Sequence, residues 1–284
     1  MRTDRGETFQ QVDGNFLNPP IVELAIVLRM RPSTLPIAAA VGFVLDDFMV
    51  AQSNERFSLQ PFTPSTQGFW SAKPWVEQVR VQGTFPPVTP SPQSILLSPR
   101  QERMIRIQDD FIAYNWRKVD LDYIGYDTIL QELQRLFISV SQAVERLTGL
   151  RGSTPLSVSG VELRYVDRFT LATASLLNPS YDPAAQRLLS LISTTDVAKL
   201  EKPKHHRVLW SMDLSTSDQI ASFDLDLMQR ISAKDTLVNL ITGYKAEGSM
   251  QDWKAITDLL NSGHDELIRR FREFIPEEIQ REWE

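Results

Sequence analysis

Apolar and polar residues alternate along several segments of the chain, and this period of two is typical of β-strands. One case is Ile21–Met30, where Val22, Leu24, Ile26 and Leu28 share one parity while Glu23 and Arg29 lie on the other. Arg103–Gln108 and Phe111–Lys118 flank Asp109-Asp110, a pattern that predicts a β-hairpin with the aspartates in its turn. Five further strands are predicted at Trp75–Val81, Ser157–Thr170, Arg207–Leu214, Ile220–Ile231 and Thr236–Tyr244.

Two segments instead carry apolar residues spaced by three and four, the period of an amphipathic helix. The first is Asp127–Thr148, where Asp127 is expected to cap the helix and Gly149 to end it. The second is Gln251–Phe274, in which Ser262-Gly263 predicts a break or bend. A further helix is predicted to begin at Asp182-Pro183. The first helix is expected to bury Ile129, Leu133, Phe137, Val140 and Val144 against a sheet.

Proline is concentrated in one third of the chain, because 12 of the 17 prolines fall within residues 1–100. Interior prolines disrupt helices, so this third is expected to form strands and loops. The resulting order predicts an α+β fold, with antiparallel β-sheets backed by long helices. We expect an N-terminal tail over 1–15, a first α+β half over 16–170 and a second over 171–284. The halves are hypothesised to be similar, each ending in a helix, and to form one compact unit or two.

Composition narrows the class of protein. The 284 residues are 42% hydrophobic and 23% charged, which is typical of a globular protein rather than a disordered or fibrous one. There are 30 basic and 36 acidic residues, and the net charge of −6 argues against tight non-specific binding of nucleic acid. The first 15 residues lack the apolar stretch of a signal peptide, and no apolar run is long enough to span a bilayer. A cytoplasmic protein without membrane attachment is expected.

Candidate catalytic and metal-binding groups are sparse. The chain has no cysteine, which excludes thiolate catalysis and Cys-ligated zinc. The histidines are His205, His206 and His264, and adjacent histidines on a strand point to opposite faces. We therefore expect no metal, no cofactor and no catalytic residue. His264 is predicted to lie in a helix and to form a hydrogen bond to a neighbouring strand.

One locally basic segment, Lys199–Arg207, is the candidate surface for an anionic ligand or partner. The alternative is a solvated loop that leads into a strand. Arg117 is a further candidate ligand-binding or partner-binding residue, because it follows Trp116 in the distinctive string Asn115-Trp116-Arg117. The candidate ligand- or partner-binding residues are thus Arg117, Lys202, Lys204, His205, His206 and Arg207.

Other charged and aromatic positions carry structural expectations. Trp116 is predicted to fill the core under the first helix, and Arg117 to pair with Glu162 or Asp167. In the string Phe223–Leu227, apolar residues alternate with Asp224 and Asp226. This alternation predicts that the apolar side chains face the core while the aspartates face water.

Several short strings, taken in order, resemble one protein family. They are Asn18-Pro19-Pro20-Ile21-Val22-Glu23, Asn115-Trp116-Arg117-Lys118, Tyr123-Ile124-Gly125-Tyr126, Glu162-Leu163-Arg164-Tyr165-Val166-Asp167, and His264 with Leu267, Ile268, Phe271 and Ile275. The resemblance covers Phe16 to Trp283 and is to a sporadically distributed bacterial and archaeal family of unknown function. The chain departs from it at Asp167, where the family more often has Asn, and at Pro276, where it more often has Thr. Such a distribution implies an association with mobile elements, defence or toxin–antitoxin systems.

These observations favour a non-enzymatic binding or regulatory protein that acts through a partner protein, in a mobile-element or defence context. The first alternative is a small-molecule sensor or enzyme with its site between sheet and helix, which convergent buried polar groups would favour. The second is a nucleic-acid-binding accessory protein that uses Lys199–Arg207, which the acidic net charge disfavours.

Overall fold

The fold is built around one antiparallel β-sheet with helices on one face. The computed structural model of the chain describes residues 21–30, 41, 44, 57–60, 94–119, 123–149, 156–170, 204–216, 219–231, 236–275 and 277–281. Within these residues nine strands pair in the order β2-β3-β4-β5-β1-β6-β9-β8-β7. The strands are β1 (Ile21–Met30), β2 (Ser58–Gln60), β3 (Ser94–Leu97), β4 (Arg103–Gln108), β5 (Phe111–Arg117), β6 (Val158–Thr170), β7 (Lys204–Asp213), β8 (Ile220–Ile231) and β9 (Thr236–Met250).

Three helices accompany this sheet in the described part of the chain. They are α1 (Tyr126–Thr148), α2 (Trp253–Phe274) and the short α3 (Glu277–Arg281). The architecture is α+β, as predicted, and most of its regular structure is sheet. None of the described helices combines the length and apolar character needed to cross a membrane.

The centre of the sheet joins the two predicted halves. Strand β6 pairs with β1 on one side and with β9 on the other. Residues before and after position 170 therefore contribute to the same sheet. The chain returns from α1 into β6, so a strand rather than a helix is the last described element before position 170.

The main core lies between the sheet and the helices. Leu24, Ile26 and Leu28 of β1 are fully buried, as their shared parity predicts. Trp116 of β5 is opposite Leu24 in register and is buried in the same core, as expected. The five predicted core positions of α1 are all buried. We call this side of the sheet the helix-bearing face.

The ends of α1 agree only partly with the prediction. Gly149 ends the helix in the left-handed conformation, with φ of 69°, and its backbone N–H donates to the carbonyl of Glu145. Asp127 does not cap the helix, because Gly125 occupies the N-cap position and Asp127 lies in the first turn. There its carboxylate is placed favourably with respect to the helix dipole.

Helix α2 is continuous, so the predicted break at Ser262-Gly263 is wrong. Its start is capped by Asp252, whose side chain accepts a 2.8 Å hydrogen bond from the Ala255 N–H. Gly263 has a packing role instead. A Cβ atom at this position would lie 2.2 Å from the ring of Tyr244 on β9, so only glycine lets helix and strand approach this closely.

The predicted strands that fall within the described residues match observed strands, but β2 and β3 were not predicted, and two strands extend beyond their predicted bounds. β7 begins three residues earlier than predicted, and β9 continues to Met250 because its last residues pair with β6 and β8. The predicted strand Trp75–Val81 and the predicted helix start at Asp182-Pro183 lie outside the described residues.

The face of the sheet away from α1 and α2, which we call the opposite face, is also buried at its centre. Val27, Phe111 and Ala113 form a small apolar cluster there. Ala25 and Asn115 lie beside this cluster and are buried as well. An antiparallel sheet with one wetted face would place charged residues on the opposite face in water. In this protein the charged residues near the centre of the opposite face are half-buried or buried.

Candidate functional site

A histidine lies at the centre of a cluster of aromatic and polar side chains on the helix-bearing face. The imidazole of His264 in α2 stacks on the ring of Tyr126, with centroids 4.0 Å apart and planes 5° from parallel. Its Nδ1 shares a 2.8 Å hydrogen bond with the hydroxyl of Tyr165 on β6. The Tyr126 hydroxyl donates to Oδ1 of Asn261, one helical position before Ser262. This geometry confirms the predicted contact between His264 and a neighbouring strand.

Asp167 lies two residues beyond Tyr165 on the same face of β6, and only 2% of it is exposed. Phe169, the next residue on this face, stacks against Phe271 of α2 with ring centroids 6.5 Å apart. Burial raises the pKa of the Asp167 carboxyl to about 8. No ion pair or hydrogen bond among the described residues opposes that effect. Asp167 is therefore largely protonated at neutral pH, which is unusual for an aspartate.

A second polar group on the helix-bearing face is internally paired. The Tyr114 hydroxyl donates a hydrogen bond to Oε2 of Glu132, which projects from α1. Arg103 lies 3.1 Å from the same carboxylate and 3.3 Å from Glu102. Burial and the Glu132 carboxylate raise the pKa of Tyr114 well above its usual value. Through the Tyr114–Glu132 hydrogen bond this group connects β5 to α1, and its role is structural.

The opposite face carries a concentration of charged side chains around Glu23. Arg117 is directly across from Glu23 in register, and Arg164 is directly across from the next residue on that face, Ala25. Burial raises the pKa of Glu23, while Arg164, Arg117 and Arg106 act in the other direction. These three guanidinium groups therefore lie near one half-buried carboxyl.

Asn115 completes this group. It is directly across from Ala25 on the side away from Arg164, and none of its surface is exposed. Its amide lies near enough to Glu23 to favour the ionised carboxylate. Neither polar atom of the amide makes a hydrogen bond of good geometry with a described residue. A buried amide without such bonds is costly in the absence of a partner.

A different arginine takes the carboxylate that Arg117 was predicted to bind. Arg29 Nε is 2.6 Å from Oε1 of Glu162, because β1 and β6 place these residues close together on the opposite face. Asp167, the other predicted partner, lies on the helix-bearing face, whereas Arg117 lies on the opposite face. The backbone alternation therefore prevents the second predicted pair.

The prediction that Asp224 faces water is wrong. Phe223 is buried as expected, but Asp224 is also buried, with 3% exposed. Its carboxylate accepts a 2.6 Å hydrogen bond from Ser211 of β7 and lies 3.5 Å from Nζ of Lys245 on β9. Because the opposite face is covered here, the carboxylate depends on these two cross-strand partners. The side chain of Asp226 is not among those that the structure describes.

The predicted basic segment is only partly described. Lys202 lies outside the described residues. The first four residues of β7 pair with β8, and they are Lys204, His205, His206 and Arg207. His205 is across from Arg230 and His206 is across from Gln229. These four residues are thus on an edge strand of the described sheet, and their role in binding stays a prediction. Arg117, by contrast, lies with Glu23 at the sheet centre.

No group of three or more histidine or carboxylate side chains within the described ranges is arranged to hold a metal ion. The buried and half-buried polar residues on which the candidate sites depend were not identified as site residues from the sequence. Asn115 and Glu23 stood inside strings noted for other reasons, and Asp167 was noted as a departure from a family and as a possible partner of Arg117. Polar residues in a predicted central strand were the available signal.

Comparisons with known proteins give little further information. No protein-family model matches the chain, and no curated protein matches it. Among solved structures, the di-domain ARO/CYC StfQ from the steffimycin biosynthetic pathway aligns over 91% of this chain and 99% of its own, with 10% identity and a TM-score of 0.18. A TM-score this low does not establish a shared fold, and nothing about this chain is inferred from it.

Proposed function

We propose that this protein is a non-enzymatic sensor that binds a small molecule carrying a basic nitrogen, between the sheet and α2 at Asp167. The observation that supports this function is the buried Asp167 carboxyl, which has no hydrogen-bonding or charged partner among the described residues. A cation beside it offsets the desolvation of the carboxylate. Tyr165 and Phe169, two positions away on either side along β6, are aromatic, and the faces of aromatic rings attract cations.

Measuring thermal unfolding with basic probes tests this function. Choline, spermidine and imidazole are the probes, and acetate and glucose serve as acidic and neutral comparisons. We expect a basic probe to raise the melting temperature of the wild type, because a ligand that binds only the folded state stabilises it. Asp167→Asn keeps the side-chain shape but removes the charge, so its melting temperature should not respond.

The matched control is Asp258→Asn, which removes an exposed carboxylate of α2 that pairs with Lys254. This variant should respond to the probes like the wild type. Choline also allows a measurement of binding affinity against pH, because its quaternary ammonium group keeps its positive charge at every pH. Its affinity should rise about ten-fold per pH unit up to about pH 8, because binding displaces the Asp167 proton. The absence of any response to basic probes, or an equal response in Asp167→Asn, would contradict the proposal.

The partner-protein function stays a prediction of the sequence. Four large apolar side chains are exposed in the described part of the chain: Val119, Ile138, Leu147 and Ile220. They are scattered over several elements, and single exposed apolar residues are common on protein surfaces. Co-purification with the product of a neighbouring gene is the measurement that tests this function.

A further inference from the structure

We propose that the opposite face of the sheet carries a second binding site, at Ala25, for the oxyanion of a small phosphate or carboxylate compound. Asn115, Arg117 and Arg164 provide its nearest donors, and Arg106 adds a further guanidinium group. This site is separate from the one at Asp167, which lies on the helix-bearing face, so either proposal can fail without the other.

The strand register brings these donors together. Ala25 is flanked by Asn115 of β5 on one side and by Arg164 of β6 on the other. Side chains directly opposite each other in such pairs are about 5 Å apart at Cβ. Arg117 is the next residue after Asn115 on the same face of β5. Ala113 is the residue before Asn115 on that face, and Arg106 of β4 is directly across from Ala113. The donors thus surround a position whose own side chain is a single methyl group.

The buried amide of Asn115 is an independent indication of a ligand. It has 0% exposure, and neither Nδ2 nor Oδ1 makes a good hydrogen bond with a described residue. A buried donor without a hydrogen bond lowers the stability of the protein, so most such groups in native proteins have a partner. An oxyanion over Ala25 would accept from Nδ2 and remove that cost.

The arginines favour an oxyanion over other ligands. Each guanidinium carries five N–H donors in a planar fork that matches the geometry of carboxylate and phosphate groups. Arg106, Arg117 and Arg164 can therefore keep contacts such as those with Glu23 and still donate to a ligand. In a buried setting such charge-assisted hydrogen bonds are short and strong.

Titration calorimetry with two probes tests the site. Inorganic phosphate and succinate are titrated into the full chain at constant ionic strength. We expect saturable binding of at least one probe, and the comparison between them identifies which oxyanion the site prefers. Arg164→Gln should weaken that binding about ten-fold or more, because it removes a charge-assisted hydrogen bond. Asn115→Leu should weaken it as well, since the leucine cannot donate.

Arg168→Gln is the matched control, since Arg168 lies on the same strand and face but is exposed and bonds to Asn239. It should bind the probe like the wild type. If Arg164→Gln or Asn115→Leu does not fold, the wild type still decides the matter. A rise in its melting temperature with phosphate or succinate, relative to sodium chloride of equal ionic strength, supports the site. The proposal is overturned if the wild type shows neither saturable binding nor such a rise in melting temperature. It is also overturned if Arg168→Gln weakens binding as much as Arg164→Gln does.

Discussion

The most informative residues are titratable groups in the interior, because their environment sets their charge. Asp224 keeps a hydrogen bond from Ser211 and an ion pair with Lys245, whereas Asp167 has neither kind of partner in the described structure. Both are aspartates in long strands of the same sheet. The contrast between them comes from which neighbours the register provides, and it has measurable consequences.

Asp167→Asn is expected to remove a pH dependence of stability. The Asp167 pKa rises from 3.8 in its usual range to about 8 in the folded protein, so between these values only the folded state holds the proton. The free energy of unfolding of the wild type should therefore fall as pH rises through this window, by up to about 1.4 kcal/mol per unit, and level off above about pH 8.

Urea unfolding at unit steps from about pH 5 to about pH 9 measures this effect. The variant should gain stability relative to the wild type as pH rises, while Asp258→Asn should keep a constant difference. A difference between the wild type and Asp167→Asn that does not change with pH would show that the carboxyl is not held protonated.

Tyr114→Phe is expected to lower the free energy of unfolding by about 1.5–3 kcal/mol, because the hydroxyl donates to the buried, charged Glu132. The comparison is Tyr126→Phe, which removes a partly buried hydrogen bond to neutral Asn261 and should cost about 0.5–1.5 kcal/mol. Chemical denaturation of both variants gives the two values. Equal losses of unfolding free energy in the two variants would mean that the charge on Glu132 does not strengthen its hydrogen bond with Tyr114.

At the scale of the element, periodicity predicted what each segment becomes and contacts decided its details. The stripe of α1 is buried throughout its predicted core positions, and Gly149 ends the helix as expected. Asp127 and Ser262-Gly263 were misread because local signals were taken without their neighbours. A glycine in a helical pattern indicates flexibility only where no other element packs against it.

Leu133→Ala is expected to cost about 2–5 kcal/mol of stability, since Leu133 is fully buried in the core between α1 and the sheet. Ile138→Ala on the same helix is the control, because Ile138 is 44% exposed and should cost much less. The free energies of unfolding from urea titrations check both. A cost for Ile138→Ala as large as for Leu133→Ala would contradict the assigned core.

Gly263→Ala is expected to destabilise the protein by about 1–3 kcal/mol, although alanine favours helices by about 1 kcal/mol over glycine. The added methyl would meet the Tyr244 ring at 2.2 Å. If Gly263→Ala is more stable than the wild type in thermal unfolding, helix and strand are not packed this closely.

At the scale of the whole molecule, β6 connects strands from both parts of the chain. It pairs along its length with β9 and with β1. If one part unfolded alone, β6 would keep an edge of unpaired backbone groups, which is unfavourable.

We therefore expect one cooperative unfolding transition. Tryptophan fluorescence and far-ultraviolet circular dichroism, followed during the same urea titration, should give coincident midpoints. Two separate transitions would instead indicate that residues before and after position 170 unfold independently. Circular dichroism of the isolated fragments 16–170 and 171–284 extends the test, and we expect neither fragment to reach the helix content it has in the full chain.

The sequence alone determined the α+β class, the strands β1, β4, β5, β6 and β8 and the core stripe of α1, because alternation and helical period are local properties of the chain. It also placed His264 in a helix beside a strand. The tertiary structure alone decided the strand order, the burial of both faces and the partners of each charged residue. Pairing between β1, β6 and β9 joins positions far apart in the chain. This pairing determines which donors surround Ala25 and why no described residue donates to Asp167.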